Sequence, residues 1–359
     1  MNIAFLIGNG FDLQIGMKTS YSDFYNYYVS NKSEEKYDAR GKKLISDFKK
    51  DISANYENWA DLELGLGEYT LKLENESDFE VIYDDIVVNL SFYLKVETDK
   101  YDFDGLGDLL LEDIDLFYQK FKFDNEIVFL KEDRNFNFIN FNYTFSIKRI
   151  LNKRKFPFLI NFSPLDNSSI VSLNHIHGTV KDRMILGVSD KFQIKNKDLV
   201  EDTNMHNSFI KPIINEISDE NVDLECYNIL NKSDYICIFG LSLGDSDRIY
   251  WEKIGEKLKI GDCKCCVFFK GDKEIKKIFP KYKFRNDNEI KDLFLSKTDL
   301  TDGEKEEVRE RIFISYNSDI FNFKVKEKVI VKEDKNVEKE VDRIVTNINI
   351  NNNKPPVSV

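Results

Sequence analysis

Asn2-Ile3-Ala4-Phe5-Leu6-Ile7-Gly8-Asn9-Gly10-Phe11-Asp12 opens the chain with an apolar run that breaks at two glycines. An unbroken apolar run of this length, with no alternation of polar residues, reads as a strand buried on both faces. Two glycines directly after it let bare backbone N–H groups come close to a phosphate, and a helix starting there adds its positive end. The stretch therefore predicts strand, turn and helix with a nucleotide at the turn. A tight turn with no ligand is the other reading of a lone G-x-G.

Further strands read outward from this one. Residues 135–141 alternate and end at Asn142-Tyr143-Thr144, and residues 172–176 deliver His177-Gly178. Residues 184–188 form a short third signal, and the apolar run 235–239 ends in Gly240-Leu241-Ser242-Leu243-Gly244-Asp245. Residues 263–269 and 311–316 complete the set. Between them lie helical patterns: residues 21–31, entered from Thr19 or Ser20 as cap, residues 146–155, and most of residues 204–230. A further helix opens at Asp245 or Ser246 and runs through Trp251. Residues 33–125 are helical almost throughout and read as a large insertion after the first strand and helix. The fold class is α/β, with a mainly parallel, Rossmann-like sheet carrying helices on both faces. One domain covers residues 1–330, and a charged, then asparagine-rich tail covers 331–359. In such sheets ligands gather at the carboxyl ends of the strands, where this chain places GNGFD, FNYT, HG and GLSLGD.

Composition narrows the partners. With 359 residues, 42% of them hydrophobic and 13% aromatic, the chain can bury a substantial core. A formal charge of −12 argues against a broad nucleic-acid-coating face. No apolar stretch approaches the roughly 20 residues of a spanning helix, so the expectation is a cytoplasmic protein that does not use a membrane. The five cysteines contain no C-x-x-C pair and read as buried free thiols. Only three histidines exist: His175, His177 and His206.

Several chemistries compete for these residues. A full dinucleotide fingerprint needs a third glycine where Leu13 stands, which weakens the ordinary dehydrogenase reading. Gly240-Leu241-Ser242-Leu243-Gly244 matches the G-x-S-x-G nucleophile elbow, yet every histidine precedes Ser242, the reverse of that class. Asp12, Glu63, Asp245 and Asp247 could serve a metal-dependent phosphodiesterase but have no diagnostic spacing. Asp61 and Glu63 could face solvent or a site, and solvent is the simpler expectation. His175 and His177 alternate, which would allow two metal ligands; the simpler expectation is that one packs while the other acts alone. No metal is expected.

The order of motifs carries a resemblance. Gly8-Asn9-Gly10-Phe11-Asp12 followed by Gly16 and Ser22-Asp23-Phe24 resembles the sirtuin opening, Asn140-Phe141-Asn142-Tyr143-Thr144 its T-Q-N-x-D turn, His177-Gly178 its H-G pair, and Gly240-Leu241-Ser242-Leu243 its G-T-S-L turn. More closely, LIGNGFDLQIGMKTSYSDF, WADLE, FNYT, IHG and GLSLGDSD resemble the AbiH family of bacterial abortive-infection proteins over nearly the whole chain.

The resemblance implies a sirtuin-like fold with NAD as ligand or substrate. It implies that Asn142 positions the ribose and a water, and that His177 is the base. Gly8, Asn9, Gly10 and Phe11 would hold the diphosphate, Gly240 and Ser242 would line the adenosine side, and Asp12, Asp23, Gly178 and Asp247 would fall among the nucleotide-binding positions. Departures are plain: Thr144 stands at the Asp of N-x-D, Asp12 replaces a small hydroxyl residue, Tyr25 replaces an Arg, and the zinc-ribbon cysteines are missing. They count against protein deacetylation and leave cleavage of free NAD. The implied role is an antiphage effector, an NAD glycohydrolase triggered by infection, with a phage-derived trigger or partner and possible self-association through the helical insertion. A non-catalytic nucleotide- or phage-sensing module and a metal-dependent nuclease are the alternatives.

Overall fold

The computed structural model describes residues 1–121, 123, 133–152, 154–160, 167–218, 221–271 and 280–328. The expected tail at 331–359 lies outside the described residues. In chain order the elements are β1 (Asn2–Ile7), α1 (Gly10–Gln14), α2 (Tyr21–Tyr28), α3 (Ala39–Ala54), α4 (Leu62–Tyr69), α5 (Glu76–Asp99), β2 (Tyr101–Asp102) and α6 (Gly107–Asp115). There follow β3 (Asn135–Asn140), α7 (Ser146–Ile150), β4 (Phe158–Leu159), β5 (Ser169–His175), α8 (Thr203–Phe209), α9 (Lys211–Ile217) and α10 (Val222–Lys232). The last group is β6 (Tyr235–Phe239), α11 (Arg248–Ile260), β7 (Lys264–Phe269), α12 (Pro280–Ser296), α13 (Asp302–Val308), β8 (Ile312–Tyr316) and β9 (Lys326–Glu327).

Seven strands form one sheet in the order β4-β5-β3-β1-β6-β7-β8. All its pairings are parallel except β4 with β5. β1 lies at the centre because each of its faces is apolar: Ile3, Phe5 and Ile7 enter one core with Phe11, Phe138 and Phe321, while Ala4 and Leu6 enter the other with Ile236, Trp251 and Phe294. All five residues from Ile3 to Ile7 are fully buried, and each large side chain among them contributes roughly 1.5–3 kcal/mol of transfer free energy.

A third core lies over the carboxyl edge of the sheet. It joins α2, α3, α4 and α5 through Phe24, Phe48, Leu66 and Phe79, and it reaches forward to Leu186, Met205 and Phe209. The helical reading of residues 33–125 is occupied by α3 to α6 together with β2, which pairs with β9. α2 starts where Ser20 accepts from the Asp23 amide. Among the described residues, no helix is long and apolar enough to cross a membrane.

Three sequence readings are corrected. Residues 184–187 join no strand, and Val188 makes only an isolated bridge to Ile210; the Ile185 amide is drawn instead to the His177 carbonyl, 2.9 Å away. The basic helix from Ser146 stops at Ile150 rather than at residue 155, and Asn152 beyond it adopts a left-handed φ of 53°. The helix after β6 opens with a single-turn 3-10 segment, Asp245–Asp247, before α11 proper.

Candidate functional site

The turn after β1 and the turn after β6 interlock. The Gly8 amide donates to Phe239 O at 2.9 Å, the Gly10 amide to Gly240 O at 2.8 Å, and the Phe11 amide to Gly8 O at 2.9 Å. A Cβ on Gly10 would sit 2.5 Å from the Gly240 Cα, and Gly240 itself has a φ of +70°. Glycine is thus required here because two backbones touch. The amides of Gly8, Gly10 and Phe11 are already partnered within the protein.

Above these turns a cleft of about 1310 Å³ runs along the carboxyl edge of the sheet. Gly8, Asn9, Gly10, Asp12, Asn142, His177, Gly240, Ser242 and Asp247 all line it, so most of the residues named from sequence converge. Three stand apart. Phe11 is buried in the core, Asp23 accepts from Ser20 Oγ at 2.5 Å beside the start of α2, and Gly178 packs against the Arg183 carbonyl at a φ of +66°. Asn9 turns toward Thr19, donating to its carbonyl at 2.8 Å and accepting from its hydroxyl at 2.6 Å. Asn142 donates its side-chain amide to Gly8 O at 3.1 Å, tying the end of β3 to the turn after β1.

Asp12 is 0% exposed and accepts hydroxyl bonds from Thr144, at 2.5 Å, and from Ser146. Burial raises its carboxyl to about 6 against the pull of those two donors. Thr144, standing where the resemblance calls for an aspartate, is therefore the partner of Asp12.

His177 heads a hydrogen-bonded network in the wall of the cleft. Its Nε2 lies 2.9 Å from Asp247 Oδ1, and an ionised carboxylate only accepts, so Nε2 carries the proton. Nδ1 is then a bare lone pair, buried and without a hydrogen-bond partner. Burial and the nearby Lys211 ammonium both hold the His177 pKa below its ordinary value, against the pull of Asp247. The ring is a neutral base at physiological pH, fixed in one tautomer. Asp247 occupies the cap position of α11 but makes no side-chain cap; its carboxylate is given over to His177 and Lys211.

Lys211 bridges two carboxylates, with Nζ 2.7 Å from Glu63 Oε2 and 2.9 Å from Asp247 Oδ1. Glu63 also accepts from Tyr143 OH at 3.1 Å and from the Gly187 amide at 3.3 Å. It is only 5% exposed, which corrects the solvent-facing expectation. One ammonium serves two acids, so they diverge: Asp247, held by both Lys211 and His177, stays well below the usual carboxylate range, while burial pushes Glu63 up. Asp61 caps α4 through the Glu63 and Leu64 amides and accepts from Ser246 Oγ at 3.0 Å, which fastens Glu63 to the Asp247 turn.

Sequence reasoning missed Lys211. Its signal is a single lysine inside Phe209-Ile210-Lys211-Pro212-Ile213-Ile214, an apolar run in which a charge needs a buried partner. His175 packs away from the dyad, its Nδ1 lying 3.2 Å from the Asn142 carbonyl and 3.3 Å from Asn140 Nδ2. Ser242 is exposed and His177 is committed to Asp247, so no elbow with a serine nucleophile is assembled. Of the acids suggested for a metal, Asp12 is held by Thr144 and Ser146, Asp245 lies on Lys297 at 2.8 Å, and Glu63 and Asp247 share the Lys211 ammonium. Among the described residues no three His, Cys, Asp or Glu side chains form a group fit for a metal ion.

A family model described as bacteriophage abortive infection AbiH matches residues 4–269. The chain belongs to the AbiH family. No curated protein matches it. The AbiH match spans the interlocked turns, Glu63, Asn142, His177, Lys211 and Asp247, so the whole acid-base network of this AbiH protein falls within the family segment. Lys270 and Lys324, which also line the cleft, fall outside it.

Proposed function

We propose that this AbiH protein is an antiphage abortive-infection effector whose cleft takes a dinucleotide, NAD, and hydrolyses its nicotinamide–ribose bond. The observation that carries the reading is the pair His177 and Asp247: a neutral imidazole in the wall of a large cleft, held by a carboxylate 2.9 Å away, with its buried Nδ1 left without a hydrogen-bond partner. In the hydrolysis a water oxygen bonds to the ribose C1′ as the bond from C1′ to the nicotinamide nitrogen breaks. The electron pair leaves with neutral nicotinamide, and the water proton passes to His177. The leaving group is cationic at the start, so no general acid is required. The Asp247 carboxylate, which stays ionised 2.9 Å away, suits the proton that His177 receives.

The cleft walls support the placement of substrate. Tyr21, Tyr25, Tyr56 and Trp59 line it together with Asp61 and Glu63, an aromatic and acidic wall suited to a pyridinium cation. Asn142, after β3, would orient a ribose hydroxyl or the water without adding charge. The diphosphate would pass over the interlocked glycine turns. Since Gly8, Gly10 and Phe11 have spent their amides, its hydrogen bonds must come from side chains and from the remaining turn amides.

The test is release of nicotinamide from NAD labelled in that ring, by purified protein alone and in extract from phage-infected cells. Release by wild type and none by His177→Ala supports the reading. Intact NAD together with magnesium-dependent loss of nucleic acid selects the nuclease alternative.

A further inference from the structure

Two lysines line the cleft beside Gln14. Lys270, one residue beyond β7, donates its Nζ to Gln14 Oε1 at 3.1 Å, and Lys324 donates to the Gln14 carbonyl. Both lysines are exposed and both line the cleft. Neither pairs with a carboxylate among the described residues, although the chain carries 64 acidic residues against 52 basic ones. Asp319, another residue of the lining, is engaged by Lys120 at 2.5 Å. Capping the last turn of α1 accounts for Lys324, but Lys270 meets a neutral side-chain amide that gives it no charge to answer. Two ammonium groups therefore converge on one neutral residue, each with N–H groups to spare. Asn322, Ser318 and Asn317 supply further polar lining beside them.

We propose that Lys270 and Lys324 form a subsite for a phosphate monoester on the adenosine ribose, so that the chain takes a phosphorylated dinucleotide in preference to NAD. This rests on the dinucleotide reading above. The geometry follows from strand order. His177 follows β5 and Lys270 follows β7, four strands apart across β3, β1 and β6, which is about 19 Å at the spacing of neighbouring strands. A dinucleotide with its nicotinamide ribose at His177 has its diphosphate at mid-length, over β1 and β6, and its adenosine ribose toward β7. Lys270 thus lies on the β7 side of the diphosphate and Lys324 meets it from the end of α1, both in place for a further phosphate bound by charge-assisted hydrogen bonds.

Titration calorimetry of the full chain carrying His177→Ala, which removes turnover, tests this with five probes: NAD, NADP, AMP, and adenosine 2′,5′- and 3′,5′-bisphosphate. At least one bisphosphate is expected to bind about tenfold or more tightly than AMP, consistent with two charge-assisted contacts; which isomer does so distinguishes a 2′ from a 3′ phosphate. NADP is expected to exceed NAD if the phosphate is 2′. Lys270→Ala with Lys324→Ala should erase the preference and leave NAD affinity unchanged. AMP binding as tightly as both bisphosphates, or a preference that survives the double variant, overturns the subsite. Lysine-dependent binding of a bisphosphate with no binding of either dinucleotide keeps the subsite and overturns the dinucleotide reading instead.

Discussion

Asp247 Oδ1 lies 2.9 Å from Nε2 of His177, across 70 residues of chain. Asp247 stands at the start of α11 without capping it, so the side chain is committed to the imidazole and to Lys211 rather than to its own helix. Replacing it with asparagine keeps the shape but removes the charge that fixes the tautomer. Asp247→Asn is expected to lower NAD cleavage by roughly 10²–10⁴-fold, the usual worth of a positioned base, with little change in far-UV circular dichroism. Undiminished cleavage would remove the dyad from the mechanism.

Lys211 makes a different prediction, on stability. Lys211→Met strips the ammonium from two buried carboxylates and should cost about 3–5 kcal/mol in urea unfolding, the usual penalty for breaking a buried pair. Adding Glu63→Gln relieves part of the uncompensated charge, so the double variant should be more stable than the single one. Additive losses would show that Glu63 and Lys211 are not coupled.

Asp12 sets a pH dependence. Its folded pKa, about 6, lies above its ordinary value of 3.8 because the carboxyl is buried. The folded chain thus holds this proton more tightly than the unfolded chain does. The contribution is fully present below about pH 3.8 and is lost as pH rises through 6, by about 3 kcal/mol at 1.4 kcal/mol per unit. Asp12→Asn should flatten that part of the stability profile. A wild-type profile that already lacks the decline would mean that Asp12 is not held as described.

The interlocked turns can be checked with alanine. Gly240→Ala places a Cβ 2.7 Å from the Phe11 amide nitrogen at a φ of +70°, and should cost roughly 1–3 kcal/mol or more in stability. Gly303→Ala, in α13 with open space around its Cβ, should instead stabilise by roughly 0.5–1 kcal/mol. Equal effects in thermal unfolding would remove the backbone contact as the reason for Gly240.

Much of this architecture is legible in the chain because it is local. The apolar run before Gly8, the cap at Ser20 and the apolar run before Gly240 each declare themselves within a few residues. What stays hidden depends on partners far away. Residues 184–188 look like a strand, yet their hydrogen bonds go to His177, Phe209 and Lys211, none of which is in a ladder. Glu63 looks solvated beside Asp61, and it is buried because Lys211 arrives 148 positions later. Asp12 looks anomalous only until Thr144 and Ser146, more than 130 residues on, are seen to hold it. Charges that are paired across such separations leave no periodicity to read.

The most direct measurement is intracellular NAD in cells expressing the chain and infected with a phage against which it protects. The account predicts that NAD falls after infection with wild type and holds steady with His177→Ala, which also loses protection. Protection by wild type with NAD unchanged would contradict it.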